Sequence, residues 1–248
     1  MARPSFDPPS GAAGNVRPHP YRNPDTPNRR SRWLLPTVLA CVMVVWSGIA
    51  QSSLGPIARH MGQHILIMNI LAPFLALAII GARQAPVAML SSGCMLLAAT
   101  AMQLGLLWVW HSPTALGLAH AAMPVHVLMQ VSLLGASLWF WLAALSEPGS
   151  FQWRAIFAML VTGKLFCLLG VLLVFAPRAL YPDMAPVHAP IPGGDILDDQ
   201  RLAGLMMLAA CPATYVLAGV VLAARSLRRL TARDAGPAAI LSLSAAER

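Results

Sequence analysis

The sequence predicts an all-α fold, a polytopic transmembrane helical bundle of about six spans, and three observations predict it. The 248 residues are 57% apolar and 10% charged, whereas soluble domains run at about 45–50% and about 25%. Mean hydropathy is +0.65. The apolar residues gather into segments at 33–50, 62–80, 87–110, 121–145, 153–176 and 202–224. Each approaches the ~20 residues a helix needs to cross ~30 Å of hydrocarbon. Lipid offers backbone N–H and C=O groups no partners, so such segments must be helical.

Taken in order, residues 1–32 are rich in Pro, Asn, Arg and Ser and poor in large apolar side chains. They read as a disordered basic tail ending in Arg29-Arg30-Ser31-Arg32. Residues 33–224 form the transmembrane helical domain, and 225–248 a basic cytoplasmic tail. The first apolar segment ends in Gly48-Ile49-Ala50, a small-x-small sequence that also fits signal-peptide cleavage. The long polar lead favours a retained span, and cleavage would not alter the sidedness of the rest.

Basic residues set the orientation. With both termini in the cytoplasm, thirteen of the 17 Lys and Arg lie inside and Arg59, Arg178 and Arg201 outside, as the positive-inside rule requires. The net charge of +8 is thereby a topology signal. It implies a multi-pass protein of the plasma (inner) membrane, in contact with the lipid bilayer and with no nucleic acid as partner. Lys164 falls inside the fifth segment, about 15 Å beyond Arg154 along a helix. A charge at that depth is costly; it could snorkel, be neutral or meet a partner subunit.

This topology places six of the seven histidines at the outer face. His60 and His64 lie at the entrance of the second span, and His111 closes the third. His120 and His126 open the fourth, and His188 lies in the loop 177–201. His60 and His64 are i and i+4, so their imidazoles share a helix face, and Met68 continues it one turn deeper. His126 has Met123 and Met129 at i−3 and i+3. Imidazole with thioether suits copper, and sulfur favours Cu(I). Asp199, just before the last span, can enter the cluster or orient a ligand histidine. The metal set read from the sequence is therefore His60, His64, His111, His120, His126 and Asp199. Haem held between facing helices in an electron-transfer cytochrome, or a small permease using His and Lys164 as a path, remain alternatives.

Other chemistry has no residues to carry it. The four cysteines are isolated in apolar stretches, with no C-x-x-C pair. Phosphate-binding glycine loops, H-E-x-x-H and G-x-S-x-G are absent. No catalytic residue is assigned, and no enzyme is expected. The loop 177–201, rich in Pro and Gly, is irregular and expected to lie over the histidine face.

Several motifs together resemble one family. His60-Met61-Gly62-Gln63-His64-Ile65-Leu66 followed by Leu71-Ala72-Pro73 is similar to the H-M-x-Q-H-x-L…A-P signature of the CtaG family of cytochrome c oxidase assembly factors. Trp110-His111-Ser112-Pro113 resembles its W-H-x-P at the end of a span. His120 and His126, with Gly135 and Trp139-Phe140-Trp141 after them, look like its next helix. Leu180-Tyr181-Pro182 and Asp199-Gln200-Arg201-Leu202-Ala203-Gly204-Leu205 match its final loop and span. The resemblance covers roughly 55–224. It implies a role in maturing a haem–copper oxidase, with the catalytic subunit of cytochrome c oxidase as partner and copper as the species handled.

Overall fold

A computed structural model describes residues 29–82, 92–184 and 195–246. Within them the chain is helical, without strands: α1 (Arg29–Ala50), α2 (Pro56–Ile65), a π-helical turn (Leu66–Leu71), α3 (Ala72–Ala82), α4 (Gly93–Trp110), α5 (Pro113–Ala121), α6 (Met123–Ser146), α7 (Gln152–Phe175) and α8 (Ile196–Ala246). Five stretches are long and apolar enough to cross a membrane: Pro56–Gly81, Gly93–Trp110, Met123–Ser146, Gly149–Phe175 and Ile196–Thr231. They match the second to sixth predicted segments. The first differs, since the apolar part of α1, Pro36–Ala50, falls short of a full span. Its helix begins earlier than expected, at Arg29, so the basic run forms its first turn. Residues 1–28 and the connection 83–91, with Arg83, lie outside the described residues.

Local chemistry explains the helix boundaries. Pro56 opens α2, where its missing N–H costs nothing. The Ser92 hydroxyl caps α4 by accepting the Met95 N–H at 3.2 Å. Ser112 caps α5 in the same way, with Pro113 at its first position. Extended backbone at Ala122 (φ −133°, ψ 114°) then separates α5 from α6. His120 is therefore on a short helix of its own and not on the fourth span, as the apolar pattern had suggested.

The second span is interrupted by the π turn, where the N–H of Ala72 bonds five residues back to Ile67 O. Such a turn leaves a carbonyl without its usual α-helical partner. The Met68 carbonyl instead accepts Ser137 Oγ–H at 3.1 Å and the Trp141 indole N–H at 3.2 Å from α6. Trp141 in turn stacks on Tyr215 of α8, with ring centroids 5.4 Å apart. These contacts join α2–α3, α6 and α8 near the middle of the bundle.

The longest helix contact runs between α7 and α8. A Cβ on Gly204 would lie 2.7 Å from Gly170 O and 2.8 Å from Val174 Cγ2. Bare glycine lets the two backbones touch, as small residues do in membranes. Gly204→Ala should therefore cost about 1–3 kcal/mol by overpacking, seen as a lower midpoint of thermal unfolding in detergent. Gly105, with nothing within 4 Å of an added Cβ, is the control. Gly105→Ala should leave the midpoint level or raise it. Lys164 is exposed on the outward face of α7.

Candidate functional site

The first turn of α2 is anchored from the far end of the sequence. Asp199, in the opening turn of α8, accepts the backbone N–H of Ile57 at 2.7 Å and of Ala58 at 3.2 Å. The first N–H groups of a helix lack internal partners and carry partial positive charge, so a carboxylate fits there. Gly55 makes the approach possible, because a Cβ at that position would overlap the Asp199 carboxylate. This contact fixes where α2 starts, and hence where its histidines sit.

The histidines lie in a row. The His60 and His64 ring centroids are 4.2 Å apart. His126 of α6 lies 5.9 Å from His60, and His111, at the end of α4, lies 5.3 Å from His64. The order is thus His126, His60, His64, His111, each ring touching the next. Among the described residues, no three His, Cys, Asp or Glu side chains are gathered around one point that could hold an ion. Adjacent pairs are the unit here.

The row runs from a mouth into the bundle. At its outer end a cavity of about 170 Å³ is lined by Arg59, His60, Gln63, His120, His126 and Met184 among others. His120 is exposed there, and the His126 Nε2 lies 3.3 Å from the Gln130 amide nitrogen. Inward, His60 and His64 are 6% and 4% exposed. His60 Nε2 and both ring nitrogens of His64 are buried with no hydrogen-bond partner. Buried polar atoms are normally paired, so these nitrogens stand out as lone pairs and N–H groups with no partner in the protein.

His111 and Met61 make the sharpest contact. His111 Nδ1 lies 2.7 Å from Leu107 O. A carbonyl only accepts, so Nδ1 carries the hydrogen and Nε2 is left with a bare lone pair. His111 sits one residue beyond α4, and burial pushes its pKa down to about 4, so the ring is neutral. Its Nε2 faces Met61 Sδ at 3.3 Å. Two electron-pair donors meet with no hydrogen between them. Both lone pairs would be available to a soft metal ion bound between or beside them.

The surrounding motif residues hold this arrangement in place. Tyr181 donates its hydroxyl to His111 O at 2.7 Å, and burial pushes that phenol up to about 12, keeping it a donor. Gln200 Oε1 accepts the Leu180 N–H at 2.7 Å while its Nε2 donates to Leu173 O at 3.0 Å. The described part of the loop 177–201 is thereby tied to both α7 and α8, and Met184 reaches the cavity mouth. The rest of that loop, with His188, lies outside the described residues.

Two sequence expectations change on contact with the geometry. The Asp199 carboxylate is engaged by backbone N–H groups of α2 and bonds no histidine, so it positions the pair from the N-terminal end of the helix. Met123, expected on the His126 face, is 73% exposed, because α6 starts at that residue and the i−3 position has no preceding turn to pack on. Met61 takes its place as the sulfur beside the histidines. The signal was present in its i−3 spacing from His64.

Neither the curated proteins nor the solved structures contain a match. The model of one protein family does match, over residues 12–229, a stretch that takes in the first apolar segment as well as every motif named above. The chain belongs to the cytochrome c oxidase caa3 assembly factor family.

Proposed function

We propose that the protein is a non-enzymatic carrier that takes up copper at the outer side of the plasma membrane and passes it to the catalytic subunit of cytochrome c oxidase during assembly. The observation that carries this reading is the facing pair of His111 Nε2 and Met61 Sδ, 3.3 Å apart. An imidazole and a thioether form a soft, low-coordinate set that favours Cu(I) over hard ions. A row of pairs also suits transfer, since each step exchanges one neighbour for the next and no closed cage must be opened. Cavities of about 170 and 10 Å³ lie well below the ~300–1,000 Å³ typical of organic cofactor pockets, which favours an ion over haem. The recipient oxidase follows from the family.

The topology belongs to the same proposal. With α1 crossing as well, both termini face the cytoplasm and the mouth faces outward. In a chain whose exposed Cys41 and Cys94 are replaced, a cysteine at Arg178 should react with an impermeant reagent added to intact cells. A cysteine at Ser150 should stay silent until the membrane is opened. The reverse pattern overturns the orientation.

Complementation tests the function. A deletion strain grown under copper limitation should have low oxidase activity and low copper in its oxidase. The wild-type gene should restore both, and His60→Ala or His64→Ala should not. Active, copper-replete oxidase in the deletion strain overturns the reading.

A further inference from the structure

Beneath the histidine row lies a sulfur lining that the outer site does not use. A cavity of about 10 Å³, room for a single ion or water, is bordered by His64 and His111 on the outer side. Met68, Met207 and Cys211 border it on the deep side. Met207 and Cys211 are i and i+4 on α8, so they share a face, and each is at most 3% exposed. The Cys211 Sγ receives the Asn69 amide N–H at 3.5 Å, while Asn69 Oδ1 has no partner. Unpartnered His64, lining the same cavity, links this lining to the row above.

We infer that this cavity is a second station for Cu(I), held by the Cys211 thiolate with the Met207 and Met68 thioethers and entered by way of His64. The inference rests on the copper reading of the histidine row. Donors soften with depth, from imidazole at the mouth, through the His111–Met61 pair, to thioether and thiol below. That gradient favours Cu(I) at each inward step. A bare cation in a protein interior is costly, and the thiol removes the cost. On ligation Cu⁺ replaces the proton on Cys211 sulfur. The copper–thiolate unit is neutral, one proton leaves to water through the mouth, and copper stays Cu(I) throughout.

The test is an anaerobic titration of the full-length protein in detergent with Cu(I), competed by a chromogenic chelator, with the Cu(I)–thiolate ultraviolet band recorded alongside. Wild type should bind two Cu(I), one of them with the thiolate band. Cys211→Ser should bind one and lack the band, the retained ion showing that the variant is folded. Met207→Leu, which conserves volume, should weaken the thiolate-bound ion by on the order of tenfold while leaving the other. A single ion without a thiolate band in wild type, or an unchanged count and band in Cys211→Ser, overturns the deep station and leaves the histidine reading standing. Loss of both ions in Cys211→Ser, with Met207→Leu indistinguishable from wild type, also overturns it. Wild-type protein that binds no Cu(I) overturns both readings.

Discussion

Replacing His111 by alanine should weaken Cu(I) binding at the His111–Met61 pair by on the order of a hundredfold, or about 2.8 kcal/mol. Met61→Leu should weaken it about tenfold. The histidine loses a nitrogen donor held in register by its bond to Leu107 O, while the methionine contributes a softer and weaker ligand. Leucine matches methionine in volume, so the second change should leave thermal stability within about 1.5 kcal/mol. Softness supplies the internal control. A thioether adds little for Zn(II), so Met61→Leu should leave zinc affinity unchanged while copper affinity falls. Competition titrations with each metal decide it. Equal Cu(I) affinity in wild type and Met61→Leu would show that the sulfur is a spectator.

Asp199→Ala should damage the site without removing any histidine. It leaves the Ile57 and Ala58 N–H groups buried and unpaired, at about 1–3 kcal/mol for each lost partner. It also frees the first turn of α2 to shift. Loss of a residue that orients ligands commonly costs 10–100-fold in metal affinity, and a fall of that size is expected here. Gly55→Ala should act through the same contact, since its Cβ would displace the carboxylate. Because both changes break one interaction, the double variant should be scarcely worse than either single one. Thermal midpoints and Cu(I) affinities of the three variants provide the check. Additive losses would mean that Gly55 and Asp199 act separately.

Much of this architecture is legible in the sequence itself. Five of six apolar segments became membrane-length helices because span length is fixed by the bilayer and needs no knowledge of packing. His60 and His64 share a face because helical periodicity alone requires it. Their meeting with His111 and His126 followed from a common depth on neighbouring helices. Asp199 was harder. Its partners are backbone amides more than 140 residues earlier, and no local pattern distinguishes a carboxylate that caps a remote helix from one that approaches an imidazole. The short helix α5 had its signal in Ser112-Pro113, but the continuous apolar run past it hid the break at Ala122. Met123 shows that i−3 spacing loses its meaning at the first residue of a helix. Leu66–Leu71 carries no composition that separates a π turn from ordinary helix; the partners of Met68 O on α6 are what stabilise it.

That wide turn also acts as a phase shifter within the second span. An α-helix advances about 100° per residue, and one residue held outside the regular winding offsets everything beyond it by about that angle. The outer half, bearing His60 and His64, and the inner half, packed on α6, therefore each present the face their own neighbours need. Neither half has to compromise its orientation for the other. Rewinding Leu66–Leu71 as a plain α-helix would turn the imidazoles about a quarter circle away from His111 and His126 while leaving every residue in the row intact. The aim of the histidines is thus set a full turn below them, by the Ser137 and Trp141 donors that hold the Met68 carbonyl open.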